Sequence, residues 1–113
     1  MIHFQSVDAA GIRLSVDEDG KEVGRAYLYI MQNDLHDEPF GLMENVWVDE
    51  TYRGQGIGSD LVNTIIQQAK EKGCYKLIAT SRSSRSQVHE LYKRLGFEAY
   101  GIEFRMNFSS LNP

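Results

Sequence analysis

The chain is short of cysteine and of positive charge, and it has no long apolar run. Its single cysteine, Cys74, cannot form an internal disulfide, which excludes a disulfide-stapled scaffold and fits a reducing cytoplasm. The formal net charge of −4 argues against general nucleic-acid binding, which needs a basic surface to displace counterions. It leaves room for a local cationic pocket that holds a phosphate. No apolar stretch approaches the roughly 20 residues that span a bilayer, so no membrane partner is expected. The opening MIHFQSVDAAG has neither a basic region nor an apolar core, so no signal peptide is read and the expected compartment is cytoplasmic. What is present is ordinary for a globular fold. The hydrophobic share is 42% in 113 residues, which suits a single domain over residues 1–113 with its own core.

Along the chain, Ile12, Leu14 and Val16 alternate with Arg13 and Ser15, as in a half-buried strand. DEDGK follows with a turn at Gly20, and EVGRAYLYIM makes the second arm of a hairpin. GLMENVWV is a third strand. Ile57, Leu61, Ile65 and Ala69 then recur at helical spacing, with Val62 and Ile66 beside them, up to a stop at Gly73. YKLIAT is a short strand, and SSRSQVHELYKRLGF a second helix with Val88, Leu91, Tyr92 and Leu95 on one stripe and Gly96 as its stop. GIEFRMNF is expected to close the chain as a last strand. The strand–helix–strand unit over 42–80 demands a parallel pair, and the hairpin before it an antiparallel one. The expected fold is α/β (α+β): a mixed, mostly antiparallel central sheet with a parallel pair, flanked by helices.

The densest signal is RGQGIG, residues 53–58, between the third strand and the first helix. A helix start carries unpaired N–H groups and the positive end of the macrodipole. Glycines just ahead of it let bare backbone wrap an anion. Arg53 adds a cation able to bind a phosphate bidentately. A tight turn alone needs one glycine; Gly54, Gly56 and Gly58 favour an anion site. The P-loop pattern is absent, since no Lys-Ser or Lys-Thr follows, and G-x-G-x-G does not fit the dinucleotide fingerprint G-x-G-x-x-G.

Arg53-Gly54-Gln55-Gly56-Ile57-Gly58 reads as R-x-x-G-x-G, which resembles the pyrophosphate loop of the GNAT superfamily of acyl-CoA-dependent N-acyltransferases. VHELYKRLGF is similar to the family's later helix, whose Tyr-x-x-x-Gly-Phe ending is matched by Tyr92, Gly96 and Phe97. The resemblance runs from about Leu14 to Phe108. It implies acetyl-CoA as cosubstrate, a primary amine as acceptor and the acyl-CoA N-acyltransferase fold, whose central parallel strands splay apart. It also implies a pyrophosphate held by Arg53, Gly54, Gln55, Gly56, Ile57, Gly58 and Ser59, and a pantetheine arm running along the backbone of Val46, Trp47 and Val48. Two departures stand out. Few residues precede the first strand, where the family usually has helices that wall the acceptor site, so that side is expected to be open or completed by a second subunit, and a homodimer is the simplest cover for the exposed apolar surface. Arg85 stands seven residues before Tyr92, where many members carry asparagine.

Acyl transfer to an amine needs a neutral amine, a polarised thioester carbonyl and a proton for the departing thiolate. Backbone N–H near Val48 is the candidate for polarising the carbonyl. Glu44 is the candidate base, because strict alternation puts it on one strand face with Leu42, Val46 and Val48, where burial raises a carboxyl pKa. The other reading places Glu44 in water or against a cation. The resemblance implies Tyr92 as the acid that protonates CoA thiolate; by periodicity alone Tyr92 belongs to an apolar stripe. His89 and the arginines of SRSSR are secondary candidates for ligand contact, Trp47 and Cys74 are read as structural, and no metal site is expected. The acceptor stays open among polyamines, amino sugars, amino acids, antibiotics and protein amines, with the negative charge favouring a cationic one. A CoA-binding module without catalysis is the rival reading.

Overall fold

The structure is a computed structural model that describes residues 1–110. Those residues group into two compact units, the first Met1–Ser81 and the second starting at Arg82. In the first unit, β1 (Ala9–Glu18), β2 (Lys21–Met31), β3 (Phe40–Val48) and β4 (Leu77–Ala79) form a sheet in the order β1-β2-β3-β4. β1–β2 and β2–β3 are antiparallel, and β3–β4 is parallel. This is the mixed sheet that the hairpin and the crossover demand. The hairpin turns on Asp19 and Gly20, with φ of 53° and 77°. Both central residues are left-handed, as the tight Asp-Gly turn matched to strand twist requires.

Helix α1 (Ile57–Glu71) is the crossover between β3 and β4, and it lies on one face of the sheet. Its stripe Ile57, Leu61, Val62, Ile65 and Ala69 packs against Val23, Ala26, Leu28 and Met43, forming the core. Leu28, Ile65, Val23 and Val62 are fully buried, a burial that stabilises by about 1.5–3 kcal/mol per side chain. Gly24 lets the helix come this close. A Cβ there would stand 2.9 Å from Ile57 Cγ2 and 3.2 Å from Leu61 Cδ1, so the first turn of α1 rests on the bare backbone of β2.

The second unit contains α2 (Ser86–Arg94). Val88, Leu91, Tyr92 and Leu95 are half-buried along one stripe, as the spacing predicts. The expected last strand over 101–108 does not form: among the described residues no strand lies beyond β4. The alternation that suggested it is real, but a strand also needs a paired backbone, and among the described residues this segment takes part in no strand pairing.

Candidate active site

The candidate site begins where β3 leaves β4. The parallel pairing covers only Gly41↔Leu77, Leu42↔Ile78 and Met43↔Ala79, whereas β2 pairs with β3 as far as Val48. From Glu44 to Val48, one edge of β3 is therefore unpaired within the sheet. The Asp49 N–H donates to the Val23 carbonyl of β2 at 2.7 Å. Adjacent strand residues direct their amides to opposite edges, so the Val48 amide and carbonyl face the open one. There Arg53 Nε donates to the Val48 carbonyl at 3.2 Å, which ties the loop's cation to the end of the strand.

Between Val48 and α1 the chain makes a 3-10 turn over Glu50–Tyr52. Asp49 organises it. Its carboxylate accepts from the Thr51 N–H at 3.0 Å and the Thr51 hydroxyl at 2.9 Å, and it pairs with Lys21 Nζ at 3.1 Å. The Thr51 hydrogen bonds, and then Lys21, hold the Asp49 carboxyl below its usual range. Asp49 thus positions the turn that leads into the glycine loop, though no motif marks it. The Asp-x-Thr spacing of an Asx turn was its signal.

The glycines divide into two kinds. Gly54 and Gly56 take φ of 83° and 86°, a left-handed conformation that favours glycine, and a Cβ on either would meet only open space. Gly56 is the N-cap of α1 and offers no side-chain cap. The first helical bond runs from the Asp60 N–H to the Gly56 carbonyl at 2.9 Å, so the amides of Ile57, Gly58 and Ser59 precede the helical ladder. Gly58 differs from the other two. It lies inside the helix without positive φ, and a Cβ there would make ordinary contact, 3.7 Å, with Val48 Cγ2. Neither backbone strain nor packing requires glycine at 58, and glycine in a helix costs up to about 1 kcal/mol relative to alanine. A bare backbone there fits a group approaching closely from outside. Ile57 contributes only its amide, since its side chain is core.

Glu44 is corrected by a bulge. Arg25 pairs with Trp47 but Tyr27 pairs with Glu44, so two residues of β3, Asn45 and Val46, stand opposite Ala26 alone. Asn45 has φ 53°, a left-handed conformation that asparagine tolerates. Strict alternation fails there. Val48 pairs with Gly24 on the face toward α1, whereas Glu44 pairs with Tyr27 on the opposite face, along with Leu42 and Trp47. Glu44 does not share a face with Val48. It is half-buried, and it has no ion pair or hydrogen bond with another described side chain. Trp47, on the Glu44 face, carries the Arg25 guanidinium 4.5 Å from its ring centre.

Tyr92 lies in the second unit, on α2. Gly96, with φ 107°, ends that helix: its N–H reaches the Lys93 carbonyl at 3.1 Å, and the Phe97 N–H reaches the Tyr92 carbonyl at 2.9 Å. The Tyr92 and Phe97 rings meet at 5.4 Å. That is a Schellman cap with its apolar contact, so Tyr-x-x-x-Gly-Phe has a local structural reason. His89 is turned to its own loop, Nε2 lying 2.9 Å from the Arg82 carbonyl. Cys74 follows α1's own Schellman cap at Gly73, and burial pushes its thiol pKa up, away from the reactive thiolate.

The comparisons with known proteins bear on this arrangement. Residues 2–97 match the acetyltransferase (GNAT) family. The chain belongs to the GNAT acetyltransferase family. It is 36% identical over 89 residues to a glucosamine 6-phosphate N-acetyltransferase of Trypanosoma brucei brucei, covering 78% of this chain and 58% of that protein. It is 30% identical over 95 residues to an aminoglycoside N(6')-acetyltransferase of Stenotrophomonas maltophilia, covering 80% and 62%. Among solved structures, an acetyltransferase of Trypanosoma brucei superposes with a TM-score of 0.75 at 30% identity, covering 88% of this chain and 69% of that one. The GNAT chain thus spans about three-fifths of the length of those two curated relatives.

Proposed function

We propose that this GNAT chain is an acetyl-CoA-dependent N-acetyltransferase that moves the acetyl group to a primary amine by direct attack on the thioester, with residues 1–113 working as one domain in the cytoplasm. The observation that carries the proposal is the open edge of β3 running into an uncapped helix start, with Gly58 bare where the fold does not need it. Acetyl-CoA is extended, with a diphosphate at one end of a flexible amide-bearing arm, and the site offers a fit to each part. The amides of Ile57, Gly58 and Ser59, with Gly54, Gln55 and Gly56 ahead of them and Arg53 beside them, suit the diphosphate. The free edge of β3 from Val46 to Val48 suits the arm as an added strand.

In this reading the Val48 N–H, on that edge, donates to the thioester carbonyl and stabilises the charge that develops on its oxygen. Glu44 takes a proton from the amine on the sheet face opposite α1, directly or through water. The acid assigned to Tyr92 rests on its motif position. The amine's lone pair forms the new C–N bond, the C–S bond breaks, and the thiolate receives a proton. Amino sugars and aminoglycosides, the acceptors in the names of the two relatives, are the first classes to try. The test is free-thiol release from acetyl-CoA across an amine panel, for the parent and for Glu44→Gln. The parent should turn over at least one amine, and Glu44→Gln should lose rate at neutral pH and recover at high pH, where the amine arrives neutral. Binding of acetyl-CoA without thiol release on any amine would replace the enzyme by a CoA-binding module.

A further inference from the structure

The sheet face away from α1 carries an aromatic row that the fold only half buries. Tyr27 and Tyr29 of β2 stand on it, their rings parallel to within 5° and 6.3 Å between centres. Both lean toward β1. The Tyr27 hydroxyl accepts from Arg13 Nε at 3.1 Å, and Tyr29 lies against the bare backbone of Gly11, where a Cβ would stand 3.2 Å from the ring. On the other side of Tyr27 is Glu44 of β3, its direct partner in the sheet, with Leu42 and Trp47 on the same face. Because the two rings tilt toward β1, Glu44 is left beside them as a half-buried carboxylate without an ion pair among the described side chains.

Charge on this face is balanced for a single added cation. Glu22 is shared by two guanidiniums, 2.7 Å from Arg13 and 3.6 Å from Arg25, and Arg25 lies 4.5 Å from the centre of the Trp47 ring. Asp17 pairs with Glu22 across the strands at the hairpin end of the face. Set against the two arginines, these carboxylates leave Glu44, among the rings, as the one that lacks a counter-charge. An ammonium placed there gains the carboxylate and the negative faces of the tyrosines. A compact ring that carries the ammonium gains further contact with the two parallel rings. A second ammonium on a body lying over the tyrosines meets Arg13 or Arg25, and such a like-charge contact is a way to reject a wrong substrate. We propose that the acceptor is a monoamine carried on a compact ring, seated on Tyr27 and Tyr29 with its nitrogen at Glu44, and that Arg13 and Arg25 select against polyamines and aminoglycosides. The assignment rests on Glu44 as the base of an acetyltransferase, and it favours simple amino sugars over aminoglycosides.

Trp47 is the chain's one tryptophan, so its fluorescence reports an occupant of this face whether or not chemistry follows. The full chain is titrated with glucosamine, phenylethylamine, hexylamine, spermidine and kanamycin, and thiol release from acetyl-CoA is measured with each. The two ring monoamines should change the Trp47 emission saturably. Their kcat/KM should exceed that of hexylamine, which lacks the ring, about threefold, and that of spermidine and kanamycin at least about tenfold. Tyr29→Leu keeps apolar bulk without the aromatic face, and it should raise KM for the ring monoamines about three- to tenfold with kcat kept. Arg25→Gln should narrow the gap to spermidine through KM. Saturable binding of the ring monoamines without thiol release would support the recognition while removing the enzyme reading. Turnover that favours spermidine or kanamycin, or an unchanged KM in Tyr29→Leu, would overturn the recognition and leave the enzyme standing. A preference unmoved by Arg25→Gln would overturn the selection by charge, and neither binding nor turnover of any ring monoamine would overturn the whole proposal.

Discussion

At its far end α1 closes on itself. Gly73 takes φ 78°, its N–H reaches the Lys70 carbonyl at 3.0 Å, and the Cys74 N–H reaches the Ala69 carbonyl at 3.0 Å. The end of α2 repeats this at Gly96. At its near end α1 does the reverse. Gly54 and Gly56 also take left-handed backbone, yet no side chain caps the helix and three amides precede the ladder. Gly58 is bare with no conformational demand for it. The difference teaches how to read glycine in this protein. Where a positive φ is matched by closing hydrogen bonds, glycine serves the fold. Where it opens amides, or stands in helical backbone with room for a Cβ, the fold leaves it available to a group from outside, which is the role proposed for residues 54–58.

The largest effect expected from testing that distinction falls on Tyr92, which stands in a closed helix end but is assigned chemistry. Tyr92→Phe keeps the ring against Phe97 and all the backbone caps. Stability should change by no more than about 1 kcal/mol, the worth of one hydrogen bond. If the hydroxyl is the acid, kcat should fall by roughly 10²–10⁴-fold with acetyl-CoA affinity retained. An unchanged kcat would reduce Tyr92 to its capping role.

Next come the closing glycines. Gly73→Ala and Gly96→Ala force an L side chain into left-handed backbone, which costs about 1–2 kcal/mol. Urea unfolding of Gly73→Ala should show the midpoint fall at unchanged slope, with acetyl-CoA affinity the same once folded. Loss of affinity without loss of stability there would erase the distinction between the two ends.

The smallest effect belongs to Asp49. Its folded-state pKa lies below the ordinary value, so the stability it contributes is present above the unfolded pKa and is lost as pH falls through the folded one. The thermal midpoint of Asp49→Asn should therefore sit below the parent's at neutral pH and converge with it in acid. A gap that persists unchanged in acid would show that the charge is not what holds the turn.

Much of the fold could be read from local pattern, because its elements answer to local causes. The Asp19-Gly20 hairpin, the α1 stripe and the glycine stops all depend on residues a few positions apart. The features that escaped depend on distant partners. The bulge at Asn45 and Val46 turns Glu44 away from the Val48 face, and only the pairing with β2 reveals it. Gly24 matters because Ile57 and Leu61 sit on it, across more than thirty residues of chain. The segment over 101–108 has the alternation of a strand, but no local rule says whether a second strand is there. In the site the glycine loop was legible as a set, whereas its division into left-handed Gly54 and Gly56 and helical Gly58, and the anchoring of Arg53 on Val48, required the structure.

The central claim is that the bare start of α1 receives the diphosphate of acetyl-CoA, and Gly58 tests it most directly. Calorimetric titration of acetyl-CoA into the parent and into Gly58→Ala, with the thermal midpoint of each apo protein measured alongside, separates binding from folding. The account predicts an apo midpoint as high as the parent's or higher, since alanine suits helical backbone better than glycine and its Cβ would make only an ordinary 3.7 Å contact with Val48 Cγ2, together with an affinity at least about tenfold weaker. An intact fold that binds acetyl-CoA as tightly as the parent would contradict it.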